Sequence, residues 1–230
     1  DDMANRDMDV DILLDQNRDP DQADIDYRQH LPNDTRILAG PSWSLIRPDF
    51  RDKRMEGRRF NDQSPRVLVL MGGSDPNSLT SDVIESLAEI DVRLDITVVI
   101  GRMDQYERLC SLRDSIAHSL DIRVAEEDMA SLMSEMDFAI SAAGSTVWEL
   151  CCMGTPMILV AEENNQFAVV RQAEATGAAV RLPDICPAGA QAVLSTMLNG
   201  KGRLEVMSRA GQQLVDGEGA SRVSKVILNK

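Results

Sequence analysis

Three short segments of this 230-residue chain carry residue types suited to holding a phosphorylated ligand. The first is Gly72-Gly73-Ser74-Asp75, directly after the apolar run Val67-Leu68-Val69-Leu70-Met71. Glycines at a strand's end let backbone N–H groups come close to a phosphate or a sugar. The same residues also suit a tight turn, with Asp75 as a helix N-cap and Pro76 in the first helical turn. The spacing is neither the P-loop G-x-x-x-x-G-K-[ST] nor the dinucleotide fingerprint G-x-G-x-x-G.

The second segment runs from Ser141 to Glu149. Small residues after Phe138-Ala139-Ile140 lead into a helix, so N–H groups at Gly144, Ser145 and Thr146 would face a diphosphate. The helix dipole adds to that attraction. The hydroxyls of Ser145 and Thr146 are further donors. Glu149 lies about one helical turn further on, where a carboxylate accepts both hydroxyls of a ribose. Thr146-x-x-Glu149 equally satisfies capping-box spacing, in which Glu149 only ties off the helix. The third segment, Glu162-Glu163-Asn164-Asn165-Gln166, follows Met157–Val160. Its amides suit a uracil edge, a phosphate or an amide on a sugar, though a polar loop with a helix cap is the commoner use of such residues. Three such loops after three strands of one sheet line a single edge.

His30 and His118 are the only histidines. Neither has Cys or carboxylate neighbours at metal-ligand spacing, so no metal site and no cofactor are expected. Both are expected at the surface, His30 in a proline-flanked loop and His118 at a helix end. The twelve methionines read as core filling and the carboxylate-rich opening as solvated surface.

Charge sets the class of ligand. Lys and Arg number 24 against 38 Asp and Glu, a net charge of −14. That balance lacks the cationic footprint a nucleic acid needs. A small phosphorylated ligand stays compatible, because backbone N–H groups bind anions whatever the net charge. No apolar run approaches the ~20 residues that span a bilayer. The four cysteines include no C-x-x-C, with Cys151 and Cys152 adjacent, which suits a reduced cytoplasmic setting. The opening Asp1-Asp2-Met3 reads like a chain joined partway through, with residues missing upstream.

The elements that position these segments follow from patterning. Val10 to Leu14 and Ile37 to Ala39 read as short strands, with loop over residues 18–35, which contain Pro20 and Pro32. Trp43 to Ile46 reads as an extended piece, and the polar residues 51–64 as a linker or a surface loop. From Pro65 onward strands and helices alternate. Strands are expected at 67–71, 96–100, 122–124, 138–140, 157–160 and 178–182. Helices are expected after Asp75 and over 104–117, 129–136, 146–153, 167–176, 188–198 and 203–215. This alternation implies βαβ units and a Rossmann-like, doubly wound parallel sheet. Residues 61–230 form the complete α/β domain. The first 60 are too short for such a domain, which usually has about 100 residues or more.

In order and spacing, these residues resemble the UDP-sugar hydrolases of pseudaminic acid biosynthesis. The likeness runs from Asp11-Ile12-Leu13-Leu14-Asp15-Gln16-Asn17 through Gly40-Pro41 and Arg47-Pro48-Asp49-Phe50. It continues at Met71–Asp75, Ser145–Leu150, Gly154-Thr155-Pro156 and Asn165-Gln166, and ends at Gly219-Ala220-Ser221-Arg222. It implies a glycosyltransferase-B-like architecture of two Rossmann-like domains, with UDP on the C-terminal one. Residues 1–60 would then be the end of the first domain. The implied reaction is attack of water at the anomeric carbon of UDP-2,4-diacetamido-2,4,6-trideoxy-β-L-altropyranose, expelling UDP. Amides and hydroxyls at 144–146 would meet charge building on the leaving diphosphate. Glu149 would hold the ribose and Asn165 the nucleotide or diphosphate.

The sequence departs from that family in two places. Nothing matches the family's catalytic His in an N-terminal Gly-rich loop, so no catalytic residue is assigned and the isolated chain is expected to hydrolyse little. Ala143 stands where many members have Gly. Two other readings remain open on the residues alone. One is a glycosyltransferase of the same architecture, similar to the enzyme that moves N-acetylglucosamine onto a lipid carrier. The other is a non-catalytic nucleotide-sugar binding module.

Overall fold

The computed structural model describes residues 3–61, 64–73, 75, 77–163, 165–200 and 202–229. The chain opens with β1 (Ile12–Asp15), α1 (Pro20–Arg28) and β2 (Arg36–Ala39). The two strands pair in parallel, with Leu14 opposite Leu38. Leu13, Ala23, Tyr27, Leu31 and Ala39 form a small core beneath them. Helix α1 lies inside the stretch expected to be loop. Asp19 caps it by accepting from the N–H of Asp21 at 3.0 Å, and Pro20 opens its first turn. A proline there loses no hydrogen bond, since the first N–H groups of a helix have no partner within it. The expected extended piece at 43–46 is instead preceded by a 3-10 turn over Pro41–Trp43.

A short helix, α2 (Pro48–Asp52), leads to the main sheet. Its elements in chain order are β3 (Arg66–Leu70), α3 (Leu79–Leu87), β4 (Asp95–Ile100), α4 (Tyr106–Arg113), β5 (Ser119–Val124) and α5 (Met129–Glu135). Next come β6 (Phe138–Ala142), α6 (Thr146–Met153), β7 (Met157–Val160), α7 (Gln166–Ala175) and β8 (Ala179–Arg181). Helices α8 (Pro187–Leu198), α9 (Arg203–Leu214) and α10 (Gly219–Leu228) follow. The strand order is β5-β4-β3-β6-β7-β8, and every pairing is parallel. Val67 to Leu70 and Met157 to Val160 are wholly buried. Central parallel strands read this way because helices cover both faces. One face packs on Val83, Ile84, Leu109 and Leu194 of α3, α4 and α8. The other packs on Met133, Val147, Trp148, Leu150 and Val170 of α5, α6 and α7. Each such buried side chain contributes about 1.5–3 kcal/mol of transfer free energy.

Within the polar stretch 51–64, Arg54 and Arg58 tie the chain to the domain. Arg54 donates to the carbonyls of Gln212 and Val215 at 2.8 and 2.9 Å. Arg58 is buried and donates to carbonyls at the C-terminal ends of both α5 and α6. Ile46 and Phe50 join the main core. Helix α10, unassigned in the sequence reading, returns to the first segment. A Cβ on its Gly219 would lie 2.2 Å from the Ser44 carbonyl oxygen, so the two backbones touch there. Arg222 also donates to the Ser42 carbonyl at 2.8 Å. His118 is buried, against the surface placement expected. Its Nδ1 accepts from the Leu94 N–H at 3.3 Å and its Nε2 lies 2.7 Å from the Leu87 carbonyl oxygen. The ring therefore closes two backbone ends under α3, with its proton on Nε2. His30 sits at the surface, 2.8 Å from the Asp7 carboxylate.

Candidate functional site

The strand order reverses direction between β3 and β6, because the chain runs outward from β3 through β4 to β5 and then crosses to β6. Open parallel sheets bind ligands outside the carboxyl ends of their strands at such a switch point. Leu70 pairs with Ser141, and Ala142 with Val160. The loops after β3, β6 and β7 therefore leave one edge of the sheet at one level. They carry the three sequence-predicted segments. Among the described residues, three of the four non-glycine positions with left-handed backbone lie on the same edge, Asp75, Ser78 and Ala125 with φ of 33°, 58° and 51°; the fourth, Ala4, precedes β1. Such strain persists only where surrounding structure enforces it, and it gathers at ligand sites. Ala125, just past β5, carries no composition signal that the sequence alone reveals.

After β3, Gly72 adopts φ +85°, and a Cβ added at Gly72 or Gly73 would meet nothing within 4 Å. Ser74 lies outside the described residues. Asp75 is buried, and its carboxylate accepts from the Leu79 N–H at 2.8 Å, the Thr80 N–H at 3.0 Å and the Thr80 hydroxyl at 2.6 Å. Gln105 Nε2 adds a fourth donor at 3.1 Å. The carboxylate is thus occupied in holding the start of α3, and it reaches that helix from several residues upstream instead of capping it directly. Gly101, at the end of β4, touches this loop: a Cβ there would stand 2.2 Å from the Gly73 carbonyl oxygen. Gly101→Ala is expected to push the 72–75 loop out of place and to weaken ligand binding at this edge at least tenfold. The fold should be kept, since the clash is confined to a loop. Nucleotide titration and circular dichroism of the variant check both halves of that expectation.

After β6, the N–H groups of Ser145 and Thr146 donate to no protein acceptor among the described residues, and neither do those of Gly72 and Gly73. Gly144 differs from expectation: its N–H turns back onto the Ala142 carbonyl at 2.8 Å and is not presented outward. The start of α6 has no side-chain cap. The capping-box alternative for Thr146 and Glu149 is therefore not realised. Glu149 accepts no hydrogen bond among the described residues and is half-buried. Burial raises its pKa above the usual carboxylate value; Arg47 pulls it back down and Asp49 pushes it up. A half-buried carboxylate that accepts no hydrogen bond has its acceptor sites ready for hydroxyl groups. The neighbouring Trp148 donates from Nε1 to Asn17 Oδ1 at 2.8 Å, which ties α6 to the end of β1.

After β7, Asn165 precedes α7, is exposed and makes no capping bond. Gln166 is used differently: its Oε1 accepts from the N–H groups of Glu162 and Glu163 at 2.9 and 3.4 Å and so closes the loop. Asn77 Nδ2 donates to Glu162 Oε2 at 2.8 Å, joining the first loop to the third. Asn165 lines a cleft of about 830 Å³ between α1 and α7. Asp19, Asp21 and Asp26 form one wall of it, and Arg171 and Gln172 stand on the other. Residues 144–149 share the sheet edge but do not line this cleft. Among the described residues no group of three or more His, Cys, Asp or Glu is placed to hold a metal ion. Among them, too, no helix is long and apolar enough to cross a membrane.

A doubly wound parallel sheet with unbonded N–H groups at its switch point defines a Rossmann-type ligand-binding domain. Residues 67–222 match the Glycosyltransferase family 28 C-terminal domain, and the chain belongs to that family. It is 27 % identical over 212 residues to the spore coat polysaccharide biosynthesis protein SpsG of Bacillus subtilis, covering 89 % of this chain and 62 % of that protein. It is 26 % identical over 187 residues to the UDP-N-acetylglucosamine–N-acetylmuramyl-(pentapeptide) pyrophosphoryl-undecaprenol N-acetylglucosamine transferase of Chlorobium limicola, covering 77 % and 50 % of the two chains. Among solved structures, MurG of Acinetobacter baumannii superposes with a TM-score of 0.70 at 20 % identity, over 95 % of this chain and 66 % of that one. The spinosyn rhamnosyltransferase SpnG complexed with thymidine diphosphate gives 0.63 at 18 % identity, over 94 % and 66 %. The fold is accordingly glycosyltransferase-B-like, and the chain spans between half and two thirds of the length of these relatives.

Proposed function

We propose that this chain is the donor-nucleotide half of an enzyme that uses a UDP-sugar, of glycosyltransferase type. The observation that carries the reading is the set of N–H groups at Gly72, Gly73, Ser145 and Thr146 that have no acceptor among the described residues, on loops flanking the switch point. Main-chain donors aimed at one place stabilise a diphosphate and the charge that develops as it departs. Glu149, unpaired and half-buried, accepts the two ribose hydroxyls, and Asn165 supplies an amide to the nucleotide or the sugar. The cleft between α1 and α7 takes the part of the substrates beyond the diphosphate. On this reading residues 1–60 are the end of a first Rossmann-like domain and residues 61–230 the nucleotide domain.

The UDP-sugar hydrolases that the sequence resembles differ from transferases in the acceptor, water in place of a sugar hydroxyl. The matched family is one of glycosyltransferases, and the pseudaminic acid hydrolase has no counterpart among the relatives described above, so transfer is the preferred reading. Calorimetric titration of UDP, UMP and ADP tests it. UDP is expected to bind, and UMP, lacking the second phosphate, at least tenfold more weakly. Equal affinity for UMP and UDP would remove the diphosphate from the proposal. Equal affinity for ADP would remove the uracil.

A further inference from the structure

The loop after β4 lies against the loop of Gly72 and Gly73, and it carries a cation, Arg102. Two contacts fix the loops to each other. The backbones of Gly101 and Gly73 touch, with a Cβ on Gly101 falling 2.2 Å from the Gly73 carbonyl oxygen. Gln105 Nε2 donates at 3.1 Å both to the Asp75 carbonyl and to the Asp75 carboxylate. Successive Cα atoms stand about 3.8 Å apart, so the Cα of Arg102 is within about 8 Å of the Gly73 carbonyl oxygen. That is inside the span of an arginine side chain. Arg102, Gly72 and Gly73 accordingly line one small hollow. The N–H groups of Gly72 and Gly73 have no acceptor among the described residues.

Among the described residues the Arg102 guanidinium pairs with Asp104 alone, at 3.2 Å, and both side chains are more than half exposed. Such pairs contribute little in water and open readily. Arg123, the cation on the neighbouring strand β5, is held by two carboxylates, Asp121 at 3.0 Å and Glu126 at 3.2 Å.

We propose that Arg102 leaves Asp104 for a diphosphate bound at the Gly72–Gly73 turn and is a further phosphate-binding residue of this site. The proposal rests on the diphosphate reading given above. Backbone N–H groups carry only partial charges, and a chain with a net charge of −14 opposes an approaching anion. A guanidinium presents paired donors that match two phosphate oxygens, and such charge-assisted bonds are about twice as strong as neutral ones. Asp104 acts against binding, since it occupies the guanidinium and repels the phosphate.

Calorimetric titration of UDP and of pyrophosphate tests the assignment. Arg102→Gln is expected to weaken both about tenfold, and Arg102→Lys to recover part of the loss. Asp104→Asn, which frees the guanidinium, should tighten both about threefold. Arg93 is exposed just before β4, at the opposite edge of the sheet. Arg93→Gln removes the same charge there and should leave both affinities within about twofold of the wild type. Unchanged affinity in Arg102→Gln, or an equal loss in Arg93→Gln, overturns the role of Arg102 and leaves the diphosphate reading standing. If the wild type binds neither UDP nor pyrophosphate, the diphosphate reading itself fails, and the role of Arg102 falls with it.

Discussion

Replacing Arg58 by methionine is expected to destabilise the protein by about 3–5 kcal/mol, a drop of roughly 10 °C in its unfolding midpoint. Arg58 is buried, and among the described residues no carboxylate is hydrogen-bonded to it. Its guanidinium donates to the Thr155 hydroxyl at 2.7 Å and the Met153 carbonyl at 3.4 Å, both at the end of α6. It donates to Met133 at 3.1 Å and Ser134 at 3.2 Å, in the last turn of α5, and to the Met136 carbonyl just beyond. The last carbonyls of a helix have no partner within the helix and carry the negative end of its dipole. One planar, five-donor cation therefore satisfies two helix ends at once. Burial pulls its pKa down to about 10, with Asp137 opposing, so it stays charged at neutral pH. Methionine fills part of the space and leaves those acceptors buried without donors, each worth about 1–3 kcal/mol. Arg58→Lys is expected to recover little, because an ammonium is a single point and cannot reach both ends. Thermal and urea unfolding followed by circular dichroism measures the loss. A midpoint within 2 °C of the wild type would mean that water replaces the guanidinium.

Arg58 also shows where sequence reading stops. It sits in Met55-Glu56-Gly57-Arg58-Arg59, whose composition matches any solvated loop. Apart from the Thr155 hydroxyl, its partners are main-chain carbonyls some 75 to 95 residues away in the chain, and carbonyls leave no mark in a sequence. The same holds for His118, whose two partners are backbone groups of Leu87 and Leu94. By contrast, α6 and β7 lie where the pattern puts them, at Thr146–Met153 and Met157–Val160. There an apolar run, a small-residue turn and Gly154 at φ +67° leave one solution, since glycine accepts the left-handed helix end. Pro20 went the other way. Read as a loop residue, it opens α1, because one residue type serves both helix starts and loops, and only the burial of Ala23 and Tyr27 decides between them.

The site divides along the same line. Which loops share an edge follows from strand–helix alternation, so Gly72, Gly73, Ser145, Thr146, Glu149 and Asn165 were legible as a group. Which groups are already used is a matter of hydrogen bonds to neighbours. Asp75 and the Gly144 N–H are committed to the fold, and Gln166 Oε1 closes its own loop. The Ser145 and Thr146 N–H groups and the Glu149 carboxylate have no hydrogen-bond partner among the described residues.

Glu149→Gln should therefore separate binding from stability. UDP affinity is expected to fall about 10–100-fold, the worth of hydrogen bonds to a charged acceptor. Stability at neutral pH should hold or rise. Burial raises the Glu149 pKa in the folded protein, so its charged form is less favourable there than in the unfolded chain. The resulting cost is full above the raised folded value and shrinks as pH falls through it. It is gone below the unfolded value, about 4.3 for a glutamate. The variant's gain in midpoint over the wild type should shrink across that same window and vanish below it. UDP binding by the wild type should weaken over the window as the carboxylate takes up a proton, and the glutamine variant should lose this pH dependence. A Glu149→Gln protein that melts lower than wild type at pH 7 and binds UDP normally would return Glu149 to a purely structural role. A residue kept in a half-buried place at a cost in stability, with no hydrogen-bond partner among the described residues, is what a hydroxyl-binding carboxylate requires.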